Sequence, residues 1–457
     1  MSIPHPAHSV PSVAIPPVAT PSVAIPPVAI PSVSIPTVSL PSVATDDISV
    51  VAQPALSARR ACRADLGGLL RDARADTLAL FDTLREQLSD LRVPLHPNLN
   101  PPLWELGHVG WFQELWIERN PNQTQGLKAP WRNADWMRTY PARRANADAL
   151  YNSVQVVHSS RWDLELPGIE QTLDDLAMQI DHSLARLQNS PDDDFGLYFH
   201  RLSVFHEDMH HEAGLYMAQA LGVQVTDVRW QPQPLAELNP SIHLRARDWV
   251  LGSGNLTGFA FDNELAGETV TMAACEIDAQ VVSWGRFLPF VEQGGYQCAD
   301  YWDEAGLAWL RRSGLQMPLV LRRKGASGQW QRLLYGQWQT LQLQEPAVHL
   351  TAHEARAWCA WAGRRLPTEV EWEHAACTQG AGFRWGDVWE WTASDHRAFP
   401  GFEPHPYRDY SAPFFDGRPV LRGGSFMTQP RMKHPRYRNF FAAHRNDVAA
   451  GFRSCAC

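Results

Sequence analysis

This chain has no long apolar run. Nowhere in its 457 residues do apolar side chains continue for the ~20 positions a helix needs to cross a bilayer, so no membrane-spanning helix is expected. A basic excess is also missing. The 40 lysines and arginines stand against 49 aspartates and glutamates, which argues against a nucleic-acid or anionic-membrane surface. The N-terminus lacks a basic region followed by an apolar core, so no secretory signal is expected and the expected compartment is the cytoplasm. The 7 cysteines (Cys62, Cys275, Cys298, Cys359, Cys377, Cys455 and Cys457) are odd in number and form no Cys-x-x-Cys pair. That fits reduced thiols in a cytosolic enzyme. Cys455 and Cys457 at the extreme end could form a redox pair, but an inert tail is the simpler reading.

What is present changes character along the chain, and the length alone calls for two domains plus extras. Residues 1–55 are low in complexity. Pro11, Pro16, Pro21, Pro26, Pro31, Pro36 and Pro41 recur every five residues, a density that removes backbone donors and breaks helix and sheet. A disordered, partly polyproline-II tail is expected.

Residues 56–224 read as a four-helix bundle. Apolar residues at spacings of three and four (Leu66, Leu69, Leu70, Leu78, Leu80, Leu84, Leu88) predict a long helix from Ala58 to Leu91. Pro101 and Pro102 suit the first turn of a second helix, Leu103 to about Arg119. Residues 120–165 are irregular. A third helix is expected from Thr172 to Leu187 and a fourth from Asp194 to Leu221. Residues 225–246, with Pro232, Pro234 and Pro240, read as a linker. From 247 to 457 the segments shorten, glycine and tryptophan become frequent, and one helix stands out, Thr351 to Ala362. An irregular α+β domain held together by buried aromatics is expected there.

The chemistry concentrates in Phe205-His206-Glu207-Asp208-Met209-His210-His211-Glu212. Histidines four apart on a helix lie one turn above the other, so His206 and His210 can share one metal ion. Glu212 follows two residues later and is a candidate for orienting a ligand. His211 points about 100° away from His210 and is not expected to bind. His108, in the aromatic-rich second helix, is the candidate third ligand. The same stretch also matches His-Glu-x-x-His, the zinc-protease helix in which Glu207 would be a general base. No His-x-x-Gly-x-x-His continuation follows it. Imidazole suits iron, zinc and copper alike, so ligand type leaves the metal open.

Longer motifs extend this reading. Gly107-His108-Val109-Gly110-Trp111-Phe112, the His206/His210/Glu212 set, Gly363-Arg364-Arg365-Leu366-Pro367-Thr368-Glu369-Val370-Glu371-Trp372-Glu373, Val388-Trp389-Glu390-Trp391-Thr392, Leu421-Arg422-Gly423-Gly424-Ser425-Phe426, Tyr437-Arg438-Asn439-Phe440-Phe441 and Gly451-Phe452-Arg453 together resemble the ergothioneine-type sulfoxide synthases. The resemblance covers about residues 58–457. It implies a DinB-like four-helix bundle followed by a formylglycine-generating-enzyme-like domain, itself related to C-type lectin folds. It implies a non-heme Fe(II) enzyme that uses O2 to join sulfur to C2 of the imidazole of hercynine, with His108, His206 and His210 as iron ligands. Asn439 and Phe440 occupy positions that the family uses near hercynine, whose trimethylammonium group is drawn to aromatic faces by ~0.5–2 kcal/mol per contact.

The chain also departs from that pattern. The family places a tyrosine just after Trp-Glu-Trp-Thr, where this chain has His396 and Phe399. Phe441 stands where the mycobacterial type uses an acidic residue to hold its thiol donor. A pocket that has lost groups for a zwitterionic cysteine suits a different donor, and the selenoneine synthase branch, which couples a selenosugar to hercynine, becomes the favoured reading. Cysteine or γ-glutamylcysteine as sulfur donor is the alternative. His396 is the candidate proton-handling group, and Arg445 a candidate for holding an anionic substrate group. A DinB-type zinc hydrolase or thiol transferase, and a non-catalytic binding module, are the rivals from other classes.

Overall fold

The computed structural model describes residues 50–457, apart from 131–133, 237–240, 255–257 and 326–327. The expected polyproline tail lies outside the described residues. The first expected helix, Ala58 to Leu91, is observed as α2 (Arg63–Gln87), and a separate short helix, α1 (Gln53–Arg59), precedes it after a break. The reason for the break is tertiary. The Arg59 carbonyl accepts from the Phe259 amide at 2.8 Å, and its guanidinium makes a bidentate pair with buried Glu264 at 2.6 and 2.8 Å.

Four long helices form the bundle. They are α2, α3 (Pro102–Gln113), α6 (Ile169–Asn189) and α7 (Tyr198–Leu221), with the short α4 (Ala134–Thr139) and α5 (Ala147–Tyr151) between α3 and α6. Pro102 opens α3 as expected, and one π-helical turn, Glu114–Glu118, extends it. α2 lies along α7, and α3 packs on both α6 and α7. Gly110 and Gly214 allow the close approach, since a Cβ on either would press on Leu176 or Leu80 at 2.7 Å. Gly222 adopts φ +72° and ends α7, a conformation that costs glycine little.

Among the described residues, the second half carries small sheets and four further helices of nine or ten residues rather than the single one expected. They are α8 (Trp284–Glu292), α9 (Glu304–Ser313), α10 (Ala352–Trp361) and α11 (Glu369–Thr378). α11 shows why periodicity missed them: Glu369 to Cys377 are all buried, carboxylates included, so no apolar stripe stands out. Its charges are matched instead. Arg438 and Arg422 reach Glu369, and Arg422 and Arg436 reach Glu373.

One four-stranded sheet has the order β1 (Ile242–Leu244), β4 (Cys275–Ile277), β13 (Cys455–Ala456), β8 (Arg364–Arg365). A second has the order β11 (Asn439–Phe440), β10 (Pro419–Arg422), β9 (Trp389–Asp395), β12 (Ala450–Gly451). β2 (Arg247–Leu251) pairs β3 (Glu268–Met272), and β5 (Leu321–Lys324), β6 (Gln329–Leu334) and β7 (Gln337–Thr340) form a three-stranded meander. β1 falls inside the stretch expected to be a linker, because Ile242 and Leu244 pair with Ile277 and Cys275 of β4. The motif residues of this half build its interior: Glu390 of β9 is fully buried and takes Arg453 at 2.5 Å and Trp372 Nε1 at 2.9 Å.

The two halves are joined through α7. Glu212 is buried and accepts from Trp389 Nε1 at 2.7 Å, Thr428 Oγ1 at 2.8 Å, Ser425 Oγ at 3.2 Å and Tyr216 Oη at 2.5 Å. Asp208 forms a bidentate pair with Arg431 at 2.6 and 2.8 Å.

Candidate metal centre

α3 contributes His108 and α7 contributes His206 and His210, and the crossing of these helices brings the three rings together. Ring centroids stand 5.2 Å (His108–His206), 4.8 Å (His108–His210) and 4.5 Å (His206–His210) apart. One ring nitrogen from each lies within 4.8 Å of the other two. His108 and His206 are buried, while the His210 side chain keeps 22% of its exposure and marks the open side.

The hydrogen bonds suit a metal. His108 Nδ1 donates to the Tyr151 carbonyl at 2.8 Å, and His210 Nδ1 bonds to the Glu105 carboxylate in a short contact. Both leave Nε2 turned away from a protein partner, the arrangement that fixes ring orientation in metal-bound histidines. Neither nitrogen of His206 has a hydrogen-bond partner. A buried imidazole left so is costly, and a cation at the shared position would remove that cost. Burial, with His210 beside it, pushes His108 down to about 3 and His206 well below 6.5. These rings are therefore neutral near pH 7, the form a metal needs. Burial works against ionisation of Glu105, but His210 outweighs it and holds the carboxyl at about 2.

Aromatic rings enclose the cluster. Trp104 stacks on His108 at 4.9 Å, and Phe112 stacks on His206 at 3.4 Å. Tyr407 stands edge-on to Phe112 at 5.0 Å and to His206 at 6.0 Å. Its loop is pinned at both ends. His405 Nδ1 is hydrogen-bonded to Tyr198 Oη at 2.6 Å, and Asp262 accepts from the His405 amide at 3.3 Å and Ser411 Oγ at 2.5 Å. A cavity of about 440 Å³ between α3, α5 and α6 borders Gly107 and Tyr151 but is lined by none of the three histidines.

Several expected roles need correction. Glu212 does not orient a metal ligand, because its carboxylate accepts from Tyr216, Trp389, Ser425 and Thr428 at the junction of the halves. Glu105, three residues before His108 on the same helix face, takes that position. His396 is not set up for proton transfer near neutrality. It is fully buried, its Nδ1 bonds to the Phe414 carbonyl at 3.0 Å, its Nε2 faces Asn263 at 3.3 Å, and its ring stacks on Phe440 at 4.1 Å. Burial pushes it down to about 4. Arg445 is already paired with Asp447 at 2.5 and 2.6 Å and lies over the Phe441 ring at 5.0 Å. Phe441 also meets Tyr216 edge-on at 6.1 Å. Asn439 and Phe440 form β11 against Leu421 and Val420, and Asn439 Oδ1 accepts from the Phe440 amide at 2.8 Å.

Glu207, the would-be zinc-protease base, is fully buried and holds Arg74 Nε at 2.8 Å and Gln113 Nε2 at 2.6 Å. His211 packs on Trp230 at 4.7 Å, away from the cluster. Tyr407 is not legible from the motif because it lies 15 positions beyond Thr392, outside the stretch just after Trp-Glu-Trp-Thr.

The fold and this cluster define a two-part enzyme, a DinB-like helical bundle followed by a sulfatase-modifying-factor-like domain. Residues 69–218 match the DinB superfamily, and residues 236–387 match the sulfatase-modifying factor enzyme 1-like domain. The chain is 30% identical over 442 residues to the hercynine oxygenase of Mycobacterium tuberculosis, covering 84% of this chain and 96% of that one. It is 29% identical over 446 residues to the hercynine oxygenase of Mycolicibacterium smegmatis, covering 84% and 99%. It is also 28% identical over 179 residues to the formylglycine-generating enzyme of Streptomyces coelicolor, covering 34% and 57%. The chain belongs to the hercynine oxygenase family. It is accordingly an enzyme, an oxidoreductase. Among the described residues, no helix is long and apolar enough to cross a membrane.

Proposed function

We propose that His108, His206 and His210 hold one Fe(II), and that the enzyme joins a chalcogen atom to C2 of the imidazole of hercynine. The observation that carries this is His206, a buried imidazole with both nitrogens unpartnered between two others whose Nδ1 atoms are held. Bound there, iron would supply activation of O2. The chain's own residues do the rest. Tyr151 and Glu105 aim the rings, Trp104 and Phe112 keep water from His108 and His206, and the exposed side of His210 is the way in for small molecules. The Tyr407 hydroxyl, on the pinned loop, is the group we assign to proton handling in place of His396.

A sulfur donor, cysteine or γ-glutamylcysteine, is the first reading, supported by the motifs shared with the ergothioneine-type sulfoxide synthases and by near full-length similarity to hercynine oxygenases. Tyr407 removes one argument for selenium, since a tyrosine does reach the cluster. The selenosugar reading keeps one observation in its favour. Phe441, which replaces an acidic donor-holding residue, presents an apolar ring beneath an arginine already paired with Asp447.

The test is Fe(II)-loaded protein with O2, hercynine and one donor at a time, read by mass spectrometry. Coupling with cysteine or γ-glutamylcysteine supports the first reading, and coupling with the selenosugar alone supports the second. Full zinc occupancy after anaerobic purification, with oxygen-independent activity, would overturn both in favour of a hydrolase or thiol transferase.

A further inference from the structure

A second set of metal-binding side chains meets in the other half of the molecule. Cys275 opens β4, Cys455 opens β13, and Glu371 lies in the first turn of α11. β13 runs antiparallel to β4 with Cys455 opposite Ile277. Cys275 is therefore the diagonal neighbour of Cys455 on the same sheet face. Both sulfurs and a Glu371 carboxylate oxygen lie within 4.8 Å of one another. Arg365 of β8, opposite Cys455 on the other side, pairs with Glu371 at 2.7 and 2.8 Å, and Thr368 adds its amide at 2.7 Å and hydroxyl at 2.9 Å.

This geometry separates two uses of a cysteine pair. Diagonal residues of an antiparallel pair have Cα atoms roughly 7–8 Å apart, beyond the ~7 Å an unstrained disulfide spans. A tetrahedral cation with sulfur at ~2.3 Å and oxygen at ~2.0–2.2 Å needs the ligand atoms to close in by only about 1 Å. Two thiolates, one carboxylate, one guanidinium and one divalent cation also sum to zero charge. Sulfur ligands select a soft cation over magnesium or calcium.

We propose that Cys275, Cys455 and Glu371 bind one thiophilic divalent cation of the zinc class, tying the C-terminal strand to β4 and α11. Binding forms two metal–sulfur bonds and one metal–oxygen bond and releases the two thiol protons to solvent, with no electron transferred. A cavity of about 460 Å³ borders the Glu371 side of the cluster, lined by Glu371, Arg365 and Thr368 but by neither cysteine.

The experiment uses the full chain, reduced and stripped by chelator, titrated with Cd(II) alone and followed by thiolate-to-cadmium charge-transfer absorption. Imidazoles give no such band, so failure of the histidine centre would not affect the reading. One equivalent should develop the band. It should disappear in Cys275→Ser and Cys455→Ser and persist in His206→Ala and Cys457→Ser. Should Cys455→Ser not fold, Cys275→Ser decides alone. No band in the unaltered protein, or a band that survives Cys275→Ser, overturns the proposal.

Discussion

The carboxylate of Glu105 on α3 is hydrogen-bonded to Nδ1 of His210 on α7, so the helix that supplies His108 also orients a ring of the clustered histidines on the other helix. Removing an orienting partner of this kind typically costs 10–100-fold in metal affinity. Glu105→Gln should weaken Fe(II) or Zn(II) binding within about that range while the circular dichroism stays unchanged. Chelator competition measures it, and unchanged affinity would remove Glu105 from the centre.

Gly107 carries a similar constraint by a steric route. A Cβ there would collide with the Tyr151 ring, and the Tyr151 carbonyl holds His108. Gly107→Ala should therefore lower metal affinity despite the better helix propensity of alanine. Gly68→Ala on α2, where a Cβ meets nothing within 4 Å, is the control and should leave metal binding untouched while stabilising by up to about 1 kcal/mol.

Tyr407→Phe keeps the ring that packs on Phe112 and His206 but removes the hydroxyl. If that hydroxyl moves a proton, kcat should fall by about 100-fold, within the usual range for general acid–base groups, with KM for hercynine and metal content nearly unchanged. His396→Asn should leave the pH profile of kcat where it was. Steady-state kinetics across pH separates the two.

Arg431→Met leaves Asp208 buried without its partner, and Glu212→Ala strips an acceptor from four donors. Breaking one side of a buried ion pair costs about 3–5 kcal/mol, so Arg431→Met should shift urea unfolding by that order. Both halves should lose structure together, because the contact joins α7 to the second domain.

Acid should destabilise the protein well above the carboxylate range. Burial holds His200 and His405 at about 3, against about 6.5 in the unfolded chain. Below pH 6.5 the unfolded state binds protons that these native rings do not, so stability rises with pH and is lost as pH falls. From pH 7 to pH 5 each should remove on the order of 1–2 kcal/mol, as read from urea midpoints. A midpoint flat over that interval would contradict the burial of these rings.

Much of this protein was legible along the chain, and the parts that were not share one property. The helices of the bundle, the proline that starts α3, and the His206/His210 pair follow from spacings within a few residues, which the sequence states directly. Tertiary packing alone decided that Glu105 meets His210 across 105 positions, that Glu212 faces Trp389 rather than a metal ligand, that His396 is sealed against Phe440, and that Tyr407 arrives at the cluster on a loop held by Asp262. α11 escaped notice for a related reason, since its buried carboxylates are neutralised by arginines from other segments. Periodicity reports which face of an element leaves water, whereas a polar side chain's role depends on the partner that compensates its desolvation, and that partner is chosen only when the chain folds.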